Sequence, residues 1–205
     1  MAKPATGRRE QNKQEKRGRI IAAARALFRH KGFDATTTQE IADAADIASG
    51  TLFTYAPTKD DLLILVFHSE MMSIVDDAYA RAKEQTGLLE QVITFFDEMV
   101  VYHERDLPLA RALMRQLGYV GSDDQRALVN ELMTKLFGKL TRIVEAAKAE
   151  SEVDASQPSY IAARAIFAIY YFHLGSMLNG FIDRTRFDHT LRTDLGITLQ
   201  GIKQT

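Results

Sequence analysis

Apolar residues recur at helical spacing along almost the whole chain, and this pattern restricts the fold more than any other feature of the sequence. It first appears in five residues that share one helical face: Ile20, Ala23, Ala24, Leu27 and Phe28. No segment alternates apolar and polar residues over a strand length with enrichment in β-branched residues. The sequence therefore predicts an all-α protein.

Glycine, proline and short polar runs divide this pattern into separate helices. Gly32 ends the first helix, and Thr37 with Glu40 has the spacing of a capping box that opens the second. A short third segment covers residues 49–55, and Pro57 marks its end. The remaining helices are expected at 59–84, 88–104, 107–119, 123–150, 157–182 and 187–203.

Charge is distributed unevenly along the chain. The formal net charge is −1, but residues 1–67 carry eleven Lys or Arg and eight Asp or Glu. This favours a polyanionic partner for the N-terminal part alone. Residues 1–16 are polar and lack aromatic side chains, so we expect a disordered arm. It either contacts DNA phosphates or a minor groove, or only aids solubility; its basic residues and those just after it are Arg8, Arg9, Lys13, Lys16, Arg17 and Arg19.

Several functional classes lack support in the sequence. The chain has no cysteine, which excludes disulfides, thiol nucleophiles and cysteine-bound zinc. His103-Glu104 begins like a zinc-binding H-E-x-x-H motif, but Leu107 replaces the second histidine. We therefore expect no enzyme activity, cofactor or metal site. With no signal-peptide pattern, a cytoplasmic location is expected.

Residues 165–182 carry no formal charge and are long enough to span a membrane. Tyr170, His173 and Asn179 make them a poor insertion segment. A helix that is apolar on all sides also results when one face packs on the core and another on a twin helix. We expect no membrane association.

Two short helices separated by residues 46–48 are typical of a helix-turn-helix, or of a plain helical corner. The second of these helices is rich in Ser, Gly, Thr and Tyr, as suits close approach to DNA. Residues 17–63 resemble the DNA-binding domain of tetracycline-repressor-type (TetR family) regulators. The matching features are Ala26-Leu27-Phe28, Gly32-Phe33, the Thr36–Thr38 run, Ile41-Ala42, Gly50-Thr51-Leu52 and Thr58 to Leu62.

The resemblance implies which residues contact DNA. Thr37, Thr38 and Lys59 match phosphate contacts, and Gln39 matches a residue that can reach a base edge. The recognition helix would contribute the others: Ser49, Gly50, Thr51, Phe53, Thr54 and Tyr55. Tyr55 could instead pack beneath the helix. Phe53, Ala56 and Ser49 depart from the family's usual Tyr, Phe and basic residue, which implies weaker phosphate anchoring.

After the disordered arm at 1–16, the resemblance implies a three-helix DNA-binding domain at 17–62 and a helical ligand-binding and dimerisation domain at 63–205. Methionine and aromatic residues suit an adaptable apolar pocket, although each equally suits a plain core. His103 and His173 either find a core partner or orient a ligand. The candidate ligand residues are Phe67, Met71, Phe95, Met99, Tyr102, His103, Met114, Phe137, Tyr170, His173 and Met177.

The function implied is that of a ligand-responsive transcriptional regulator, a repressor by expectation. It would bind a pseudo-palindromic, double-stranded DNA operator as a homodimer formed through the last two helices. An apolar or aromatic small molecule would release it. The alternative is a constitutive or architectural DNA-binding protein without an inducer, which a well-packed interior would favour.

Overall fold

The computed structural model describes residues 5–118 and 121–202, and this part of the chain contains nine helices and no strand. The all-α prediction is confirmed. The helices are α1 (Ala5–Lys31), α2 (Thr38–Ala44), α3 (Ser49–Phe53), α4 (Lys59–Ala82), α5 (Leu88–Glu104), α6 (Leu107–Leu117), α7 (Asp123–Ala149), α8 (Ser159–Leu178) and α9 (Arg184–Gln200).

The disordered arm predicted for residues 1–16 is wrong over its described part, because α1 already begins at Ala5. Residues 1–4 lie outside the described residues. The prediction weighed polarity but not helix propensity: Gln, Glu, Lys and Arg are good helix formers. Gln14 also donates a hydrogen bond to Glu10 one turn earlier, at 2.9 Å. The apolar second half of α1 packs on the core. Starting a helix is unfavourable, whereas extending one is not, so the polar first half can continue a helix that the packed half has already formed.

Helices α1 to α3 form a small unit around fully buried apolar side chains. Phe28, Ile41 and Leu52, one from each helix, have no accessible surface. The predicted capping box at α2 is confirmed: the Thr37 hydroxyl accepts from the Glu40 N–H, and the Glu40 carboxylate accepts from the Thr37 N–H. These contacts fix where α2 starts relative to the end of α1.

The turn between α2 and α3 depends on a left-handed residue. Asp46 has φ of 53°, a conformation that Asp tolerates better than most residues. The Ile47 N–H then donates back to the Ala42 carbonyl at 3.1 Å, which satisfies a carbonyl at the end of α2. Helix α3 ends at Phe53 rather than continuing to residue 55 as predicted.

Helices α4 to α9 form the helical body. Helix α4 belongs to both parts, since it packs on α1 and also on α5 and α7. Arg184, at the start of α9, pairs with Asp97 and Glu104 of α5 and with Asp188. Arg192 pairs with Glu90 of α5. These ion pairs hold α9 along α5.

The predicted helices of the body agree with the structure, with shifts of a few residues at the ends. Helix α8 stops at Leu178 instead of 182, because Gly180 adopts a left-handed φ of 78°. Helix α9 starts at Arg184 instead of 187, since the Asp183 side chain accepts from the Arg186 N–H at 2.7 Å. Residues 119 and 203, where two predicted helices end, lie outside the described residues.

The α2 cap predicts a pH-dependent contribution to stability. The Lys31 ammonium, followed by the Thr37 backbone N–H, lowers the pKa of Glu40 from 4.5 to about 2. A lowered carboxylate pKa adds stability above the unfolded-state value, and this gain disappears as the pH falls toward the folded-state value. Glu40→Gln keeps the cap but loses the ion pair. We expect a lower urea midpoint than wild type at neutral pH, and a smaller difference as the pH falls below about 4.5.

Glu40→Ala serves as the control for this measurement. It removes the side chain that accepts from the Thr37 N–H together with the charge, so its destabilisation should persist at low pH. A Glu40→Gln deficit that is independent of pH would contradict the assigned role of Lys31.

Candidate nucleic-acid interface and ligand cavity

Helix α3 presents a small, uncharged surface. Gly50, Phe53 and Thr54 are exposed, and 45% of the Phe53 surface is accessible. Ser49 and Thr51, in the same helix, are half-buried. An exposed face without bulky charged side chains allows the backbone to come close to a DNA groove. This surface suits the recognition helix implied by the sequence.

A chain of hydrogen bonds joins α2 to α3. The Ser49 hydroxyl donates to the Gln39 side-chain oxygen at 2.6 Å, and the Gln39 amide donates to the Asp43 carboxylate at 2.8 Å. Two predicted DNA-contacting residues therefore hold each other in place. A side-chain amide has two N–H donors, and the contact with Asp43 uses one of them.

Lys59 has a more specific position than a surface phosphate contact requires. Its ammonium donates to the carbonyl oxygens of Phe33 at 2.8 Å and Asp34 at 3.0 Å. It also lies 4.6 Å from the centre of the Phe33 ring. Lys59 thus fastens the segment between α1 and α2 to the first turn of α4. No motif or periodicity in the sequence indicated this contact.

The sequence left open whether Tyr55 contacts DNA or packs beneath the recognition helix, and its position is compatible with both. It is half-buried against the core, and it also lines an open cleft with Arg9, Lys13 and Lys16 of α1. Ala56, next to it, is fully buried. The basic half of α1 is therefore helical, and it shares this cleft with Tyr55, two residues after the end of α3.

A mainly apolar cavity of about 210 Å³ lies among α4, α5, α6, α7 and α8. An engineered cavity of about 150 Å³ in another protein is large enough to bind benzene. The interior is therefore not fully packed, and it has room for a small organic molecule. Six of the predicted ligand residues line it: Phe67, Met71, Met99, His103, Met114 and Tyr170.

Four other predicted ligand residues lie outside this lining. Phe95 and Met177 are buried in the core, and the Phe137 ring packs edge-on against Phe167. His173 points toward α9, where its Nε2 lies 2.8 Å from an Asp194 oxygen. These four side chains therefore pack against other parts of the protein instead of lining the cavity.

The sequence missed eight residues that complete the lining. Half of them come from α7, whose one predicted candidate, Phe137, lies outside the lining. Leucine and valine in a cavity wall follow the same periodicity as in a packed core, so the pattern held no signal for them. The eight are Leu117, Val129, Leu132, Met133, Leu136, Phe167, Tyr171 and Leu174.

Tyr102 lines a smaller neighbouring pocket of about 20 Å³, which shares Phe67 and His103 with the cavity. Its hydroxyl donates to the Glu70 carboxylate at 2.8 Å. Burial raises the pKa of this hydroxyl and the Glu70 charge raises it further, so Tyr102 stays a donor. The other Glu70 oxygen lies 2.8 Å from Arg25 and 3.2 Å from Arg29, both on α1.

A cluster of four side chains on three helices, with Glu70 at its centre, therefore connects the wall of the cavity region to the DNA-binding unit. Neither the helical periodicity nor the family motifs indicated this cluster, because its members are 32 or more positions apart along the chain, apart from the Arg25–Arg29 pair. The cluster is a physical link between the two parts of the molecule.

Comparison with known proteins assigns the helix-turn-helix. Residues 20–66, which span the second half of α1 through the start of α4, match the family described as "Bacterial regulatory proteins, tetR family". The chain therefore carries a TetR-family DNA-binding domain. Curated repressors and solved structures extend the similarity into the helical body.

The transcriptional repressor KstR of Rhodococcus jostii is 26% identical over 167 residues, which cover 80% of this chain and 74% of that protein. FadR of Thermus thermophilus, a repressor solved in complex with lauroyl-CoA, aligns with a TM-score of 0.72 at 21% identity over 92% of this chain and 96% of that chain. FadR of Bacillus subtilis, solved in complex with stearoyl-CoA, gives 0.65 at 20% identity, covering 85% and 95%.

The position of Lys59 in the DNA-binding domain leads to a direct test. Lys59→Ala should weaken binding to every DNA duplex and lower the salt slope of log K by about one, because one phosphate contact is lost. Fluorescence anisotropy over a salt series measures both quantities. Lys83→Ala is the matched control, since Lys83 instead lies over the Tyr79 ring in the helical body. Weaker binding with an unchanged slope would mean that Lys59 acts only by fastening Phe33 and Asp34.

Proposed function

We propose that this TetR-family protein is a ligand-responsive repressor that acts in the cytoplasm. It binds a pseudo-palindromic operator as a homodimer and leaves it when a small apolar molecule enters the helical body. The observation that carries this proposal is the cavity of about 210 Å³ in the part of the molecule that α4 joins to the DNA-binding unit. A constitutive DNA-binding protein would have no need for such a space.

The two parts of the chain would have the separate functions expected from the sequence. Residues 17–62 would bind DNA and residues 63–205 would bind the ligand and the partner subunit. Helix α3 enters the major groove, and the first turns of α2 and α4 face phosphates, as helix N-termini favour. The DNA contacts we propose are Thr37, Thr38, Gln39, Ser49, Gly50, Thr51, Phe53, Thr54, Tyr55 and Lys59.

Exposed apolar side chains on α8 and next to it support dimerisation through the last two helices. Phe172 is 69% exposed and Phe181 is 81% exposed, and Ile161 and Ile197 are also exposed. Among the described residues, α8 is the one helix that is long and apolar enough to cross a membrane. In a dimer, its outer face would instead meet the same face of the partner. A two-fold dimer places two recognition helices on the two halves of a palindrome.

The composition of the cavity wall favours a ligand with an extended apolar part. Phe, Met, Leu and Val side chains form most of the lining. Two structural neighbours were solved with lauroyl-CoA and stearoyl-CoA, so acyl chains are the first class to test. The likeness in fold supports this choice of probe, and the lining residues of this chain supply the chemical reason for it.

The Glu70 cluster provides a route from the ligand to the DNA-binding unit. A ligand that displaces Phe67 or His103 would also press on Tyr102, whose ring centre lies 5.2 Å from that of His103. Any shift of Tyr102 changes the Glu70 contacts and thereby the position of α1. A small rotation of the DNA-binding unit would spoil the spacing of two recognition helices, which must fit successive major grooves about 34 Å apart.

Binding to DNA from upstream of the protein's own gene tests the repressor function. At about 150 mM salt we expect anisotropy to show about 10³-fold tighter binding than to scrambled DNA. Lauroyl-CoA or stearoyl-CoA should weaken operator binding about 100-fold, which equals about 2.7 kcal/mol of coupling, and free CoA should not. Tight operator binding that no acyl chain weakens would overturn the acyl assignment and favour the constitutive alternative.

Replacing Glu70 tests the coupling route. Glu70→Gln should reduce ligand-induced release from about 100-fold to less than about tenfold, since Gln cannot form ion pairs with Arg25 and Arg29. The matched control is Glu98→Gln, which removes a carboxylate that pairs with Arg81 within the helical body. The coupling role is refuted if both variants release as the wild type does.

A further inference from the structure

Two polar side chains interrupt the apolar wall of the cavity. His103 on α5 and Tyr170 on α8 both line it, and they are only 4% and 1% exposed. The Nδ1 atom of His103 and the hydroxyl of Tyr170 are buried without a hydrogen-bond partner among the described residues. Buried polar groups are nearly always paired, so two unpaired ones on one cavity call for an explanation.

Ring packing holds both side chains in position without polar contacts. The Tyr170 ring stacks on Phe96 with 4.1 Å between ring centres and an angle of 3° between the planes. The His103 ring lies 6.2 Å from the Phe67 ring and 5.2 Å from the Tyr102 ring. The two rings are therefore held in place, and the hydrogen-bonding capacity of the unpaired atoms is not used by any described residue.

Both groups are uncharged at neutral pH. Burial lowers the pKa of His103 to about 4 and raises the pKa of the Tyr170 hydroxyl. Of the described residues that line the cavity, none is Lys, Arg, Asp or Glu. A carboxylate placed here would be desolvated without a counter-charge, whereas a neutral oxygen would gain hydrogen bonds at little cost.

We propose that the effector carries an uncharged oxygen, a hydroxyl or a carbonyl, that hydrogen-bonds to His103 and Tyr170 inside the cavity, while the rest of its buried part is apolar. The proposal rests on the repressor function above and narrows its ligand class. It makes His103 and Tyr170 the residues that select the ligand's functional group, because a ligand lacking this oxygen leaves both atoms unpaired.

A matched set of eight-carbon probes tests the preference directly. Octane has no oxygen, octanol and methyl hexyl ketone each carry a neutral one, and octanoate carries a charge. Displacement of the neutral dye N-phenylnaphthylamine reports their binding to the full-length protein. The chain has no tryptophan, so the intrinsic background is low. We expect octanol and the ketone to bind at least about tenfold more tightly than octane and octanoate.

Substitution should remove this preference. Tyr170→Phe keeps the ring on Phe96, and His103→Phe keeps a ring beside Phe67. Each should reduce the octanol-to-octane affinity ratio about fivefold, with octane binding unchanged or stronger. Without ligand, Tyr170→Phe should also be at least as stable as wild type, since it removes an unpaired buried hydroxyl. If the Tyr170 hydroxyl instead stabilised the fold, Tyr170→Phe would be less stable than the wild type.

Thr141→Val is the matched control. The Thr141 hydroxyl is also buried without a partner among the described residues, but it does not line the cavity. Its loss should leave every probe affinity unchanged.

The outcomes separate the two proposals. Equal binding of octane and octanol, or octanoate binding as tightly as octanol, overturns the neutral-oxygen site but leaves the cavity as a ligand site. A ratio that Tyr170→Phe and His103→Phe do not change also overturns it. Binding of none of the probes, and no dye uptake, overturns the cavity itself and with it the ligand-responsive function.

Discussion

The rest of the structure depends on the buried carboxylate of Asp61, which joins the first turn of α4 to the start of α7. One of its oxygens caps α4 by accepting from the Thr58 N–H and hydroxyl at 2.9 and 2.6 Å. The other accepts from the Gln125 side chain at 2.7 Å, near the start of α7. A single side chain therefore sets where α4 begins and how it meets α7. Because α4 also packs on α1, the orientation of the DNA-binding unit relative to the body depends on this first turn.

The sequence predicted the helices well because their end signals are local. Gly32, the pair Thr37 and Glu40, and Pro57 each act within a few residues of the helix end that they mark, so a short stretch of sequence contains the whole signal. The first half of α1 was missed for a related reason. Its stability comes from continuity with the apolar half after Arg19, which a composition argument over residues 1–16 does not include.

The site was predictable only in part, because several of its contacts join residues that are far apart in the sequence. Family motifs located the recognition helix, but the contact of Lys59 with Phe33 and Asp34 joins residues some 25 positions apart. The same holds for the cavity. Periodicity places Phe95 and Met99 on apolar faces with equal weight, yet only Met99 reaches the space left between helices. A void is a property of packing in three dimensions, so no single stripe of residues encodes it.

The exposed apolar face of α8 has a consequence for how the regulator responds to its own abundance. A lone subunit carries one recognition helix and leaves Phe172 and Phe181 in water, whereas the proposed dimer buries that surface and carries two. The DNA-competent form then increases with the square of the subunit concentration when subunits are scarce. Operator occupancy would rise more steeply than protein level, so a modest change in synthesis could switch a target gene sharply.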